Sequence, residues 1–332
     1  VELHNFRNYE NQEIKFKKNI NVFYGDNAQG KTNILEAIFL CAFGKSFRTT
    51  REKELIKLGE ENARIKVEYS KKDRDGNILI CISDKKQILV NGVKIKKLSE
   101  LLGKINIVIF TPDDINILKG TPALRRRFLD MMIGQLRPNY VYILNMYNKT
   151  LEQRNNYLRQ IRQEGKAESL LEIWDEKLVE YGNIISNYRR EFINKIIEKI
   201  NIIHKKITND NEKIDIIYTS CCENKKNYMD LLTQRRKLDI IKGYTTKGIH
   251  RDDFEVYIND KELSIYGSQG QNRTAVLSLK LSELQVIHDE IEEEPILLLD
   301  DFMSELDIKR RRNFLNNINN TCLLYTSPSP RD

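Results

Sequence analysis

The sequence predicts an α/β fold split along the chain, with strand-and-helix sequence at both ends and a mainly helical lobe inserted between them. Three observations predict it. A strand, a glycine-bounded loop and an apolar helix follow one another over Ile20–Phe43. Strand signals fade from Pro112 and give way to long stretches of helical period. An apolar run ending in two carboxylates, Ile296–Asp301, returns near the end. The expected parts are 1–111 and 241–326 for the two halves of the head, 112–240 for the helical lobe, and 327–332 for a disordered or non-native tail.

In chain order, Val1–Phe6, Gln12–Phe16 and Asn19–Tyr24 read as short strands separated by polar turns. Lys31–Phe43 reads as a helix with Ile34, Leu35, Ile38 and Phe39 on its apolar face. Strands return at Arg64–Tyr69, Ile78–Ser83 and Ile88–Ile95, the last broken by Asn91-Gly92, residues that tolerate the positive φ of a hairpin turn. Ile105–Phe110 reads as a buried strand. Leu151–Ile161 is an expected helix, with Gly165 marking the turn after it. Over Trp174–Ile203 the apolar residues recur in steps of three and four, close to the ~3.6-residue helical period rather than a sustained heptad. Ile214–Tyr218 and Phe254–Ile258 read as strands, with Asn259-Asp260 as a turn. A helix is expected from about Ser268, then a buried strand at Ile296–Leu299, a helix to about Ile318, and a last strand within Thr321–Thr326.

The 332 residues are 40% hydrophobic and 31% charged, which suits a sizeable core carrying much exposed helix. A net charge of +7 favours an anionic partner without establishing one. The five cysteines, Cys41, Cys81, Cys221, Cys222 and Cys322, form no CxxC pair, so neither a zinc site nor a secreted disulfide framework is indicated. No apolar run reaches the ~18 residues of a membrane span, and no signal peptide is visible. A cytoplasmic protein with no membrane partner is expected. The chain opens at Val1 already inside a strand pattern, which places the expected native start upstream.

Four motifs carry chemistry. Gly25-Asp26-Asn27-Ala28-Gln29-Gly30-Lys31-Thr32 matches G-x-x-x-x-G-K-[ST], between a strand and a helix as a phosphate-cradling loop requires. Backbone N–H groups and the helix N-terminus would face phosphate. Lys31 would reach the β/γ-phosphates of ATP, and Thr32 would ligate Mg²⁺. Ile296–Asp301 is a Walker B pattern: Asp300 would serve Mg²⁺ and Asp301 would activate water. Ser268-Gln269-Gly270-Gln271 before a long helix resembles the ABC signature, which binds the γ-phosphate held by a second subunit; the ordinary alternative is a Ser N-cap. Ser304-Glu305-Leu306-Asp307 looks like the D-loop of ABC ATPases, and also fits a capping box. In this order the motifs predict an ABC/SMC-type head that dimerises to complete its sites.

Longer strings resemble the RecF family. They are Leu3-His4-Asn5-Phe6-Arg7-Asn8-Tyr9, Phe110–Gly120, Arg125–Asp130, His250-Arg251-Asp252-Asp253, Tyr266–Thr274 and Leu297–Asp307, spread from the start to about Asn320. The resemblance implies an ATP-dependent homodimer on double-stranded DNA, slow hydrolysis, and work with RecR and RecO in loading RecA at gapped DNA. It implies nucleotide contacts from Gly25–Thr32, Mg²⁺ at Asp300, hydrolysis at Asp301, and action in trans by Ser268, Gly270 and Gln271. Arg48 reads either as a phosphate-facing or a surface arginine, and His250 and Arg251 either line the site or hold a strand junction. Ile249 departs from the family, where proline is expected, and the sequence after about Thr321 departs too, so impaired hydrolysis is expected.

Basic residues in and near the lobe, Arg125–Arg127, Arg137, Arg154, Arg159, Arg162, Arg189, Arg190 and Arg235–Lys237, with Tyr140, Tyr147 and Tyr157 interleaved, collectively fit a sequence-tolerant, salt-sensitive DNA surface. Three other readings stay open. They are a transporter ATPase subunit or other ABC-type complex, a long-armed SMC-like protein, and a non-catalytic ATP-switch scaffold, the last because Asp301 stands where a longer carboxylate would position water better.

Overall fold

The computed structural model describes residues 1–17, 19–26, 29–72, 75–208, 211–301 and 323–327, the last segment by its backbone apart from Leu324. The elements up to residue 110 are β1 (Glu2–Phe6), β2 (Tyr9–Glu13), β3 (Ile20–Tyr24), α1 (Lys31–Phe43), β4 (Ala63–Ser70), β5 (Asp75–Ile82), β6 (Gln87–Val90), β7 (Val93–Lys94) and β8 (Ile107–Phe110). There follow α2 (Ile115–Lys119), α3 (Pro122–Leu136), α4 (Pro138–Glu164), α5 (Leu171–Thr208), β9 (Ile214–Thr219) and α6 (Lys225–Lys242). Then come β10 (Asp253–Ile258), β11 (Lys261–Glu262), α7 (Leu263–Tyr266), α8 (Gln269–Ile291), β12 (Ile296–Asp300) and β13 (Leu323–Ser327). The chain forms two compact units, one of Val1–Asp114, Lys206–Asp210 and Val276–Asp332, the other of Ile115–Lys205 and Asn211–Ala275.

Among its described residues the first unit has two sheets. One is antiparallel in the order β2-β1-β4-β5-β6-β7, the other parallel in the order β3-β13-β12-β8. In β4, Ala63, Ile65 and Val67 are buried, and β5 buries Ile78, Ile80 and Ile82. That alternation gives the antiparallel sheet one apolar face. β8 and β12 instead read Ile-Val-Ile-Phe and Ile-Leu-Leu-Leu-Asp, the unbroken apolar runs of strands covered on both faces. α1 touches β4 and β5 of one sheet and β8, β12 and β13 of the other. Its residues Ile34–Phe43 are therefore all buried, not the single face that the periodicity predicts. The second strand runs over Tyr9–Glu13 rather than Gln12–Phe16, because a two-residue turn at Arg7-Asn8 pairs Phe6 with Tyr9 and fixes the register. Its side chains are largely exposed, so no apolar alternation marked it. Between Val90 and Val93, Asn91 and Gly92 have φ of 51° and 78°, the expected two-residue hairpin turn.

The second unit pairs β10 with β9 and β11, antiparallel, and Asn259-Asp260 turns with φ of 47° and 63°. α4 is longer than expected, because Pro138 starts it at a position needing no N–H. It ends at Gly165, whose amide donates to the Ile161 carbonyl at 3.0 Å. α5 has 38 residues, about 57 Å at 1.5 Å each, and outruns Trp174–Ile203 at both ends. Its buried stripe includes Asp175, Arg189 and His204 beside the apolar residues, and His204 lies just past Ile203, where an apolar pattern stops. Fully buried Arg154 on α4 bonds Asp175 at 2.6 Å and Asp239 at 2.8 Å, tying α4, α5 and α6 together.

Candidate functional site

The phosphate-loop strand and the Walker B strand are one strand apart. β13 lies between β3 and β12, and Thr326 pairs with Phe23 on one side and Asp300 on the other. At ~4.8 Å between parallel neighbours, the C-terminal ends of β3 and β12 stand about 10 Å apart on the same sheet edge. This is where ligands bind in open parallel sheets. Gly25 leaves β3 with φ 148°, and Gly30 caps α1 with φ 96°. Lys31 and Thr32 are the first residues of the helix. The Thr32 hydroxyl donates to Asp300 Oδ1 at 2.7 Å. The Lys31 ammonium turns back on the loop and donates to the carbonyls of Gly25 and, at 3.0 Å, Asp26. Asp26 and Gln29 are exposed; Asn27 and Ala28 lie outside the described residues. Asp301 is exposed, and its φ of 48° is in the left-handed region. Such backbone in a non-glycine residue is costly and clusters at functional sites. The Ser304–Asp307 loop and the helix expected to Ile318 lie outside the described residues, as do residues 328–332; Ser327, expected in the tail, ends β13.

Thr32 and Asp300 bring two hard oxygen donors to one point. That suits Mg²⁺, which takes few protein oxygens and completes its octahedron with water and phosphate. Among the described residues no group of three His, Cys, Asp or Glu forms an all-protein cage.

Residues that the motifs do not name hold the loop. Asn8 Nδ2 donates to the Gln29 carbonyl at 3.3 Å, the Tyr9 hydroxyl to the Gly30 carbonyl at 3.2 Å, and Asn33 Nδ2 to Asn8 Oδ1 at 2.8 Å. A Cβ on Gly30 would lie 2.6 Å from Asn8 Oδ1 and 2.9 Å from the Tyr9 hydroxyl, so only glycine fits this approach. Glu36, fully buried on α1, takes both forks of the Arg7 guanidinium at 2.9 and 2.6 Å and also accepts from Ser46. Arg48 lies half-exposed against Asn33 Oδ1 at 2.7 Å and Glu36 at 3.5 Å, one residue from Thr32. The sequence signals only that an acid inside the run Ile34–Phe43 must be paired. Its partner, Arg7, lies 29 residues away.

The signature turn is a capping box. The Ser268 amide donates to Gln271 Oε1 at 3.0 Å, and the Gln271 amide donates to the Ser268 hydroxyl at 3.2 Å. Ser268 and Gln269 are exposed, and Gly270 is half-buried. The Ser268 hydroxyl accepts within the turn and keeps its proton for another acceptor. The amides of Gln269 and Gly270, in the first helical turn, have no carbonyl four residues back inside the helix. Such a terminus favours an anion. The Gln271 side chain is engaged within the fold: its Nε2 donates to Glu212 at 2.9 Å.

His250 and Arg251 lie in the short turn that leads into β10 of the second unit. His250 meets the Tyr147 hydroxyl at 2.9 Å and the Thr245 carbonyl at 3.2 Å, and burial lowers its pKa to about 4, so the imidazole is neutral. The Arg251 guanidinium lies 5.9 Å from the Tyr244 ring centre. Several basic residues expected on a DNA surface are structural instead. Arg154 and Arg189 are buried, Arg125 forks onto Asp253 at 2.6 and 2.8 Å, and Arg126 bonds the Asp252 carbonyl at 2.7 Å. Tyr140, Tyr147 and Tyr157 are buried as well. Arg127, Arg159, Arg162, Arg235 and Lys237 are exposed. Among the described residues no helix is long and apolar enough to cross a membrane.

The family model RecF/RecN/SMC N terminal domain matches residues 1–323. The DNA replication and repair protein RecF of Clostridium perfringens (strain SM101 / Type A) is 43% identical over 338 positions, covering 100% of this chain and 93% of that protein. RecF of Clostridium novyi (strain NT) is 45% identical over 96% of this chain and 89% of its own length. A solved structure described as the recombination mediator protein RecF-ATP in the RecFOR pathway superposes with a TM-score of 0.94 at 40% identity, covering 100% of this chain and 91% of that one. An Smc head bound to the C-winged helix domain of ScpA superposes at 0.59 with 17% identity, a likeness of fold alone. With a family model spanning nearly the whole chain and relatives above 40% identity over its full length, the chain belongs to the RecF family, an α/β fold of the ABC/SMC head type.

Proposed function

We propose that this chain is an ATP-binding protein of DNA replication and repair that closes as a homodimer on double-stranded DNA and hydrolyses ATP slowly. The Thr32–Asp300 hydrogen bond carries the reading, since it joins the phosphate loop to the Walker B strand at a single oxygen pair. Gly25–Lys31 would surround the β/γ-phosphates, Lys31 would exchange its loop carbonyls for phosphate oxygens, and Thr32 and Asp300 would hold Mg²⁺, which supplies charge neutralisation on the phosphates. Asp301, exposed just past the strand end, would accept a proton from the attacking water. Ser268 and the Gly270 amide would complete the site from the second copy. The RecF relatives and the RecF-ATP structure support the ligand and the process. RecR and RecO as partners, and RecA loading at gapped DNA, rest on family membership. On DNA the exposed basic residues would contact phosphates, with affinity falling steeply with salt. The test is sedimentation with and without ATP. Wild type should dimerise only with ATP, and Ser268→Arg should stay monomeric while still binding nucleotide. A monomer in both conditions, or an ATP dimer of the variant, sinks the reading.

A further inference from the structure

The signature turn is braced from behind by a residue outside every motif. Glu212 precedes β9, and its Oε1 accepts from Gln271 Nε2 at 2.9 Å. Its Oε2 lies 3.4 Å from Nε2 of His204, which is fully buried near the end of α5. Gln271 has its Oε1 on the Ser268 amide, so its amide plane is fixed from both ends. A Gln side chain in a capping box is ordinarily free to fray with the turn. Here a carboxylate clamps it through one oxygen, and the other carboxylate oxygen lies against the buried His204 imidazole. Ser268 and the amides of Gln269 and Gly270 sit on a preorganised turn, and such donors bind an anion better when no ordering remains to be done on binding.

We propose that Glu212 is a positioning residue for the signature turn, holding Ser268 and the Gly270 amide ready for the nucleotide of a second copy through its bond to Gln271. This rests on the sandwich reading above. In this reading Glu212 acts only through the signature turn, so its loss acts on dimerisation and not on ATP capture by the monomer.

The experiment uses the full chain and ATP. Glu212→Ala should weaken ATP-dependent dimerisation about tenfold or more, the effect of losing a charge-assisted hydrogen bond. The affinity of the monomer for ATP at low protein concentration should not move, and thermal melts should show a folded protein. Glu212→Gln still offers an oxygen to the Gln271 amide and should recover most of the dimer. Gln271→Ala should behave like Glu212→Ala, and the double variant should be no worse than either single one. If wild type dimerises, Ser268→Arg does not, and Glu212→Ala matches wild type, the inference is overturned while the sandwich stands. Additive losses in the double variant, or no rescue by Gln, overturn it equally. If wild type forms no dimer with ATP, the sandwich reading fails and takes the inference with it.

Discussion

Replacing Gly30 with alanine tests how closely the phosphate loop is held. Gly30 has φ 96°, where a Cβ adds a backbone penalty of about 1–2 kcal/mol. The new methyl would sit 2.6 Å from Asn8 Oδ1 and 2.7 Å from its Nδ2, closer than any real contact allows. The Asn8 side chain can swing away, but it then loses its bonds to the Gln29 carbonyl and to Asn33, each worth about 1 kcal/mol. The combined perturbation is about 3 kcal/mol, or roughly a hundredfold in nucleotide affinity. Calorimetric titration with ATP reads it directly. A companion variant, Asn8→Gly with Gly30→Ala, removes the clash with Asn8 and leaves the milder one with the Tyr9 hydroxyl and the backbone penalty, so it should bind more tightly than Gly30→Ala alone. A Gly30→Ala protein that binds ATP within about threefold of wild type would refute the claim that this loop is pinned in its phosphate-binding shape.

Other outcomes follow from the same geometry. Asp301→Asn should keep ATP affinity and ATP-dependent dimerisation but lower turnover about a hundredfold in a steady-state ATPase assay; unchanged turnover would remove Asp301 from the chemistry. Arg154→Leu leaves Asp175 and Asp239 buried without their shared cation, and denaturant unfolding should show a loss of about 3–5 kcal/mol. His250 is held neutral by burial, with its pKa lowered to about 4 against 6.5 for an open imidazole. The unfolded chain therefore binds this proton first, so stability is full above pH 6.5 and falls as pH drops toward 4, by at most about 3 kcal/mol. His250→Gln should flatten that part of the pH–stability curve, and a curve unchanged in slope would count against it.

The legible parts of the fold share a physical cause. Gly25–Thr32, the Asn91-Gly92 and Asn259-Asp260 turns and the apolar runs of β8 and β12 are all short-range signals, in which a backbone angle or a doubly covered strand restricts the residue type. β2 lacked such a signal because it is an exposed edge strand whose register comes from the turn before it. The C-terminal end of α5 was hidden in part because His204, just past Ile203, takes a buried position that an apolar pattern treats as solvent-facing. In the site, residues that touch phosphate in the proposed reading were readable from their motifs. The residues that hold them were not. Asn8, Tyr9, Glu36 and Glu212 act through contacts more than 20 residues apart, Glu212 through a partner 59 residues away. The arginines show the opposite case. Arg154 and Arg189 looked like surface cations on helices, and only the packed lobe reveals the carboxylates that bury them.

The most direct measurement mixes two inactive variants, Lys31→Ala and Ser268→Arg. In a mixed dimer one seam carries both defects and the other carries neither. If each ATP lies between the phosphate loop of one copy and the signature turn of the other, mixing equal amounts should restore ATPase activity, up to about a quarter of wild type for random pairing. If each copy completes its own site, every site in the mixture contains a defect, and activity stays at background at all ratios.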